Sequence, residues 1–133
     1  MIDDNAIVRV LRREFPDSAA IYRFGSTAEN SAGSDSDIDL AILPDGPIDA
    51  MRRFGVQESL AAELHRNVDL IDLAAASTVL RMQVVAKGQV LATFDPAKQS
   101  VFEDYVFSSY ARLNEERREI LQRIKAEGRV YGG

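Results

Sequence analysis

The chain has 133 residues, 46% of them hydrophobic, with four prolines, no cysteine and a formal net charge of −5. That is the size of one ordinary domain around one core. Zero cysteines exclude disulfides, thiolate metal sites and a cysteine nucleophile, and the lone His65 cannot make a His-rich zinc site, which leaves hard-cation, carboxylate chemistry. The negative charge disfavours a nucleic-acid surface, which relies on Lys and Arg. No apolar stretch approaches the roughly 18 to 20 residues of a membrane span, and the acidic N-terminus is unlike a signal peptide. A cytoplasmic, soluble protein with no membrane contact and no direct contact with nucleic acid is expected.

Along residues 3–15, Ile7, Val8, Leu11 and Phe15 recur at three- and four-residue spacing up to Pro16, which predicts an amphipathic helix. Ala19 to Phe24 is rich in β-formers, ends at Gly25 and predicts a strand. Residues 27–36 are small and polar, fitting a short helical turn and a loop. Asp37 to Leu43 predicts a second strand, closed by the turn residues 44–47. Residues 49–65 fit a helix with Met51, Phe54, Leu60, Ala61 and Leu64 inward, although Gly55 sits in its middle. Val68 to Leu73 predicts a third strand. Ser77 is an N-cap for a short helix running through Val85 with Gly88 beyond its end, and Gln89 to Thr93 a brief strand. Asp95-Pro96 caps a final helix that runs without Pro or Gly to Glu127. A helix of about 30 residues would span roughly 45 Å, more than such a domain needs, so its distal part is expected to leave the body. Six of the sixteen basic residues fall within 112–129, interleaved with Glu115, Glu116, Glu119 and Glu127, which reads first as a solvated, salt-bridged face and second as a partner surface. Strands alternating with helices give an α/β (α+β) fold with a mixed sheet.

The chemistry is concentrated in two short motifs. Aspartate is depleted in strands, yet Asp37 and Asp39 flank Ile38 in an apolar run. Alternation places both on one face while Ile38, Leu40 and Ile42 take the other. Two adjacent carboxylates repel each other unless a cation lies between them, and oxygen-only ligands suit Mg²⁺ or Mn²⁺. Upstream, Gly25 at a strand end allows close approach of a phosphate, and Ser26 can bind it or cap a helix, two uses of one geometry. Ten residues separate Ser26 from Asp37, enough for the chain to turn and bring phosphate cradle and carboxylate pair face to face.

Gly25-Ser26 followed by Asp37-Ile38-Asp39 resembles the signature of the polymerase-β-type nucleotidyltransferase superfamily. The resemblance implies that the two aspartates hold two Mg²⁺ ions and that a third carboxylate comes from a later strand. Asp69 in Val68-Asp69-Leu70 matches that position, with Asp72 as competitor. Strand parity keeps the two apart, and Asp69, nearer the strand start, is the choice. Over nearly its whole length the chain is similar to the minimal MNT nucleotidyltransferases, the antitoxins of HEPN/MNT toxin–antitoxin pairs. It departs from them at Thr27, where an arginine often follows Gly-Ser, so Arg23, Arg52 and Arg53 stand as substitutes for a triphosphate contact. On this resemblance residues 1–95 are the nucleotidyltransferase domain, and 96–133 a helix and tail packed on it and available as a partner-binding arm. The site comprises Asp37, Asp39 and Asp69 as catalytic and metal residues, with Gly25 and Ser26 holding nucleotide. The resemblance further implies transfer of AMP from ATP to a tyrosine of a cognate HEPN ribonuclease toxin within a hetero-oligomer. Two alternatives are an antitoxin that acts by stoichiometric capture and a transferase for small, aminoglycoside-like molecules. His65 is read as structural.

Overall fold

The computed structural model describes residues 2–28 and 36–131. Its order is α1 (Asp4–Glu14), β1 (Ala20–Phe24), β2 (Ile38–Leu43), α2 (Ala50–Leu64), β3 (Val68–Asp72), α3 (Thr78–Lys87), β4 (Gln89–Thr93) and α4 (Pro96–Tyr131). The strands form one sheet in the order β3-β2-β1-β4. β1 runs antiparallel to β2 and β4, and β2 parallel to β3. The predicted elements are all present, and the sheet is mixed, as expected.

Local chemistry explains the boundaries. Asp3 caps α1 by accepting from the Ala6 amide at 3.1 Å, and the helix closes with the Phe15 amide on the Leu11 carbonyl, just before Pro16. Asp49, Ser77 and Asp95 accept from the amides of Arg52, Leu80 and Lys98 and cap the other three helices. β1 is buried along its whole length because it lies inside the sheet with helices over both faces.

Side-chain alternation divides the core in two. Ile21, Ile38, Leu40, Ile42, Val68 and Leu70 pack against Ile7, Val10 and Leu11 of α1 and Val56 and Leu60 of α2. On the opposite face Tyr22, Phe24, Ala41, Leu43 and Leu73 pack with Val84 of α3, and Phe102 of α4 closes over them. Each such fully buried aliphatic side chain contributes about 1.5–3 kcal/mol. The Tyr22 hydroxyl accepts from Gln99 Nε2 at 3.2 Å and meets Glu103 Oε2 at 3.5 Å, joining α4 to the middle of the sheet; burial pushes its pKa up to about 12.

Two expectations need correction. In α2, Met51 and Phe54 point outward, 83% and 55% exposed, while Val56 and Leu60 are buried and Ala61 and Leu64 pack on the core. The inward turn ahead of Val56 is occupied by polar residues instead. Arg53 Nη1 donates to the Leu70 carbonyl at 2.7 Å, and Gln57 Oε1 accepts from the Leu70 amide at 2.9 Å. β3 is an edge strand whose outward backbone groups need partners, and α2 supplies them. In addition, α4 runs beyond Glu127 to Tyr131. The loop expected within 27–36 lies largely outside the described residues; Ser26–Ala28 form a turn closed by the Ala28 amide on the Gly25 carbonyl at 3.2 Å.

Candidate active site

The end of β1 and the beginnings of β2 and β3 meet at one end of the sheet. Register places Phe24 opposite Asp39, and Asp39 opposite Asp69. Paired residues in neighbouring strands share a face, so Asp39 and Asp69 stand side by side. Asp37, one residue before β2 begins, is exposed. Asp69 is also exposed and Asp39 half-buried. Burial raises the Asp39 carboxyl above its ordinary pKa, and the charges of Asp69 and then Asp37 raise it further. The three predicted carboxylates thus share one electrostatic field.

Gly25 lies directly against this group. Its φ is +73°, which glycine adopts without strain. A Cβ at this position would fall 2.2 Å from Asp39 Oδ2, so any side chain here would drive the carboxylate away. Ser26 opens the turn that follows. Gly25 and the carboxylates, predicted to face one another, are adjacent.

Asp72 behaves differently from Asp69, three residues away. It is buried on the α1/α2 face, where Oδ2 accepts from the Ile48 amide at 2.9 Å and Oδ1 from the Ala74 amide at 2.8 Å. Both oxygens bind backbone, which makes Asp72 a structural brace for the chain entering α2 and leaving β3.

The three arginines considered as triphosphate contacts are engaged on that same face. Arg23 is buried in an ion pair with Asp4 of α1. Arg52 donates to the Glu14 carbonyl and sits over the Phe15 ring at 5.4 Å. Arg53 serves the edge of β3 as described. Thr27 is buried, its hydroxyl without a hydrogen-bond partner among the described residues. His65 forms the left-handed cap of α2 at φ 54°, consistent with a structural role.

The donor set suits a hard divalent cation, because the three neighbouring side chains Asp37, Asp39 and Asp69 at this end of the sheet are all carboxylates. Among the described residues no three acidic side chains are drawn into coordinating geometry. Mutual repulsion explains carboxylates that are neighbours without converging. What neighbouring carboxylates can do chemically is hold a divalent cation, here against a glycine that leaves Asp39 in place.

Comparison with known proteins agrees with this geometry. The model of the family "Polymerase beta, Nucleotidyltransferase" matches residues 5–97. The protein adenylyltransferase MntA of Shewanella oneidensis is 35% identical over 125 residues, covering 94% of this chain and 89% of that protein. A toxin–antitoxin complex solved with AMP-PNP contains a chain that superposes with a TM-score of 0.84 at 35% identity, covering 93% of this chain and 99% of that one. A tri-AMPylated HEPN toxin of Shewanella oneidensis in complex with its MNT antitoxin gives a TM-score of 0.77 at 34% identity, over 92% of this chain and 95% of that one. No helix among the described residues is long and apolar enough to cross a membrane. With the family model matching from α1 to the first residues of α4, the chain belongs to the polymerase-β-type nucleotidyltransferases as one of their minimal members.

Proposed function

We propose that this chain is a protein adenylyltransferase antitoxin: it transfers AMP from ATP to a tyrosine hydroxyl of a cognate cytoplasmic HEPN toxin and thereby silences it. The observation that carries this reading is the register Phe24–Asp39–Asp69, which sets Gly25 and the carboxylates together. The similarity to an adenylyltransferase and to antitoxins solved with AMP-PNP and with an AMPylated toxin supports the substrate and the partner.

In this reading Asp37 and Asp39 hold two Mg²⁺ ions, Mn²⁺ being an alternative, and Asp69 shares one of them. When bound, the ions neutralise charge on the attacking and leaving oxygens of an in-line displacement. Gly25 leaves room for the triphosphate and Ser26 binds a phosphate oxygen. Asp69, whose carboxylate is exposed, takes the acceptor's proton in this reading. The tyrosine oxygen bonds to the α-phosphorus, the bond to the bridging oxygen breaks, and pyrophosphate departs. Both reacting atoms are supplied by partners, so the chain contributes position and charge.

The domain supplies the site, and α4 supplies the arm. Every side chain from Asn114 to Glu127 is exposed, including Ile120, Leu121 and Ile124. Exposed apolar residues at that spacing form a stripe suited to a helical partner.

The test is to incubate the protein with labelled ATP, Mg²⁺ and the toxin, comparing wild type with Asp37→Ala/Asp39→Ala. Loss of several kcal/mol of charge stabilisation predicts transfer falling about 10³-fold or more, with neutralisation lost in parallel. Neutralisation that survives in the double variant would show stoichiometric capture instead. Labelled product formed without toxin would indicate a small-molecule acceptor.

A further inference from the structure

The connection from α2 to β3 is only His65, Arg66 and Asn67. His65 takes the left-handed conformation, uncommon outside glycine, and turns the chain sharply out of the helix. Arg66 then reaches across thirty residues of sequence, Nη2 donating to the Ser36 carbonyl at 2.5 Å. Beside it the Ile38 amide donates to the Asn67 carbonyl at 2.9 Å. These two bonds bracket Asp37 on either side. Ladder pairing of β2 with β3 begins at Ile38↔Val68 and continues to Asp39↔Asp69. Asp39 and Asp69 are therefore placed by the sheet itself, whereas Asp37 precedes the ladder.

We propose that Arg66 is a positioning residue: by holding the Ser36 carbonyl it fixes the backbone of Asp37, and with it the spacing of Asp37 from Asp39 and Asp69, without touching nucleotide, metal or acceptor. Its side chain lines a cleft together with Ile38, Leu64, Asp3, Arg9 and Glu63, and its Nε is enclosed without a partner among the described residues. A guanidinium suits the task. It is long, planar and permanently charged, and its bond to a carbonyl is charge-assisted. Its position also has a cost, because burial and then the charge of Arg66 lower the pKa of Arg23. A residue that only filled space would do so better without that repulsion.

The proposal rests on the metal and nucleotide roles given above to the carboxylates. Its test uses the full chain with Arg66→Met, which keeps the stem and removes the donors, and Arg66→Lys, which keeps the charge and a donor. Mn²⁺ binding is measured by electron paramagnetic resonance without nucleotide, and kcat and KM for ATP are measured separately in AMP transfer. Arg66→Met is expected to weaken Mn²⁺ binding about tenfold and to lower kcat about 10- to 100-fold, with KM for ATP within about twofold. Arg66→Lys should fall between Met and wild type in both. Mn²⁺ affinity and kcat unchanged in Arg66→Met would overturn the proposal, as would equal impairment of Lys and Met. Arg66→Leu, which also lacks any donor, replaces Met under the same thresholds should Met not fold. A wild type that binds Mn²⁺ yet transfers no AMP would count against the function proposed above, and the Mn²⁺ affinities alone would then decide the role of Arg66.

Discussion

The two faces of this sheet carry charge in opposite ways. On the face covered by α1 and α2, ionised groups are partnered within the fold: Arg23 with Asp4, Arg52 with the Glu14 carbonyl, Arg53 with the Leu70 carbonyl, Asp72 with two backbone amides. On the other face Asp37, Asp39 and Asp69 are set beside one another, like charge against like. The first arrangement stabilises the protein and the second works against it. Charge that the fold does not consume is available to a ligand, and perturbed carboxylates cluster at functional sites for that reason.

Asp69 and Asp72 test this contrast most sharply, since they share a strand and point to opposite faces. Asp69→Asn should lower AMP transfer about 10²- to 10³-fold while leaving thermal stability unchanged or slightly improved. Asp72→Asn removes an acceptor from one of two buried amides and should cost about 1–3 kcal/mol, a fall in Tm of roughly 3–8 °C, with transfer below Tm within about threefold of wild type. Thermal melts and rate assays on both variants decide it. The contrast breaks if the two substitutions trade places, or if both act on the same quantity.

The opposite facing of Asp69 and Asp72 was legible in the sequence, and so was most of the fold. Alternation in Asp37–Leu43 and parity in Val68–Leu73 are local signals, and the sheet obeys them. Caps at Ser77 and Asp95 were readable for the same reason. What sequence missed depends on tertiary partners. Arg53 and Gln57 face inward because an edge strand has backbone groups to satisfy, and no periodicity within α2 records that demand. Arg66 meets Ser36 across a separation that no motif spans. Arg23, Arg52 and Arg53, the candidates for a triphosphate contact in place of an arginine after Ser26, are partnered on the far face, which charge alone does not reveal.

A smaller effect sharpens the contrast on the charged face alone. Asp39 has its pKa raised in the folded protein by burial, then by Asp69 and Asp37. The folded state therefore holds that proton more tightly than the unfolded chain does. The stability this contributes is present at low pH and is lost as pH rises from the ordinary value of 3.8 through the folded value. At neutral pH ionised Asp39 is a net burden. Asp39→Asn should then raise Tm by a few degrees at pH 7 in EDTA, and by less as pH falls toward 3.8, where the wild-type carboxyl is itself protonated. Millimolar Mg²⁺ should reverse the ranking at pH 7, stabilising wild type by mass action and leaving the variant behind. A Tm advantage for Asp39→Asn that does not depend on pH would show that ionisation of the Asp39 carboxyl is not its origin.

Helix α4 carries the same distinction along its own length, and there the effect on folding should vanish. Near its start Gln99 and Val106 are buried, and Gln99 bonds both Tyr22 and Thr93. At 36 residues the helix is about 54 Å long, and beyond Leu113 no described side chain is even half-buried. Ile120 and Ile124 are 51% and 57% exposed, so their substitution removes little burial. Ile120→Glu/Ile124→Glu should change stability by less than about 0.5 kcal/mol per substitution, whereas Val106→Ala should cost about 2 kcal/mol. The same double variant should weaken binding to the toxin, measured by calorimetry with purified components. Full affinity in that variant would remove the distal helix from the interface and leave the partner to be held by the domain body.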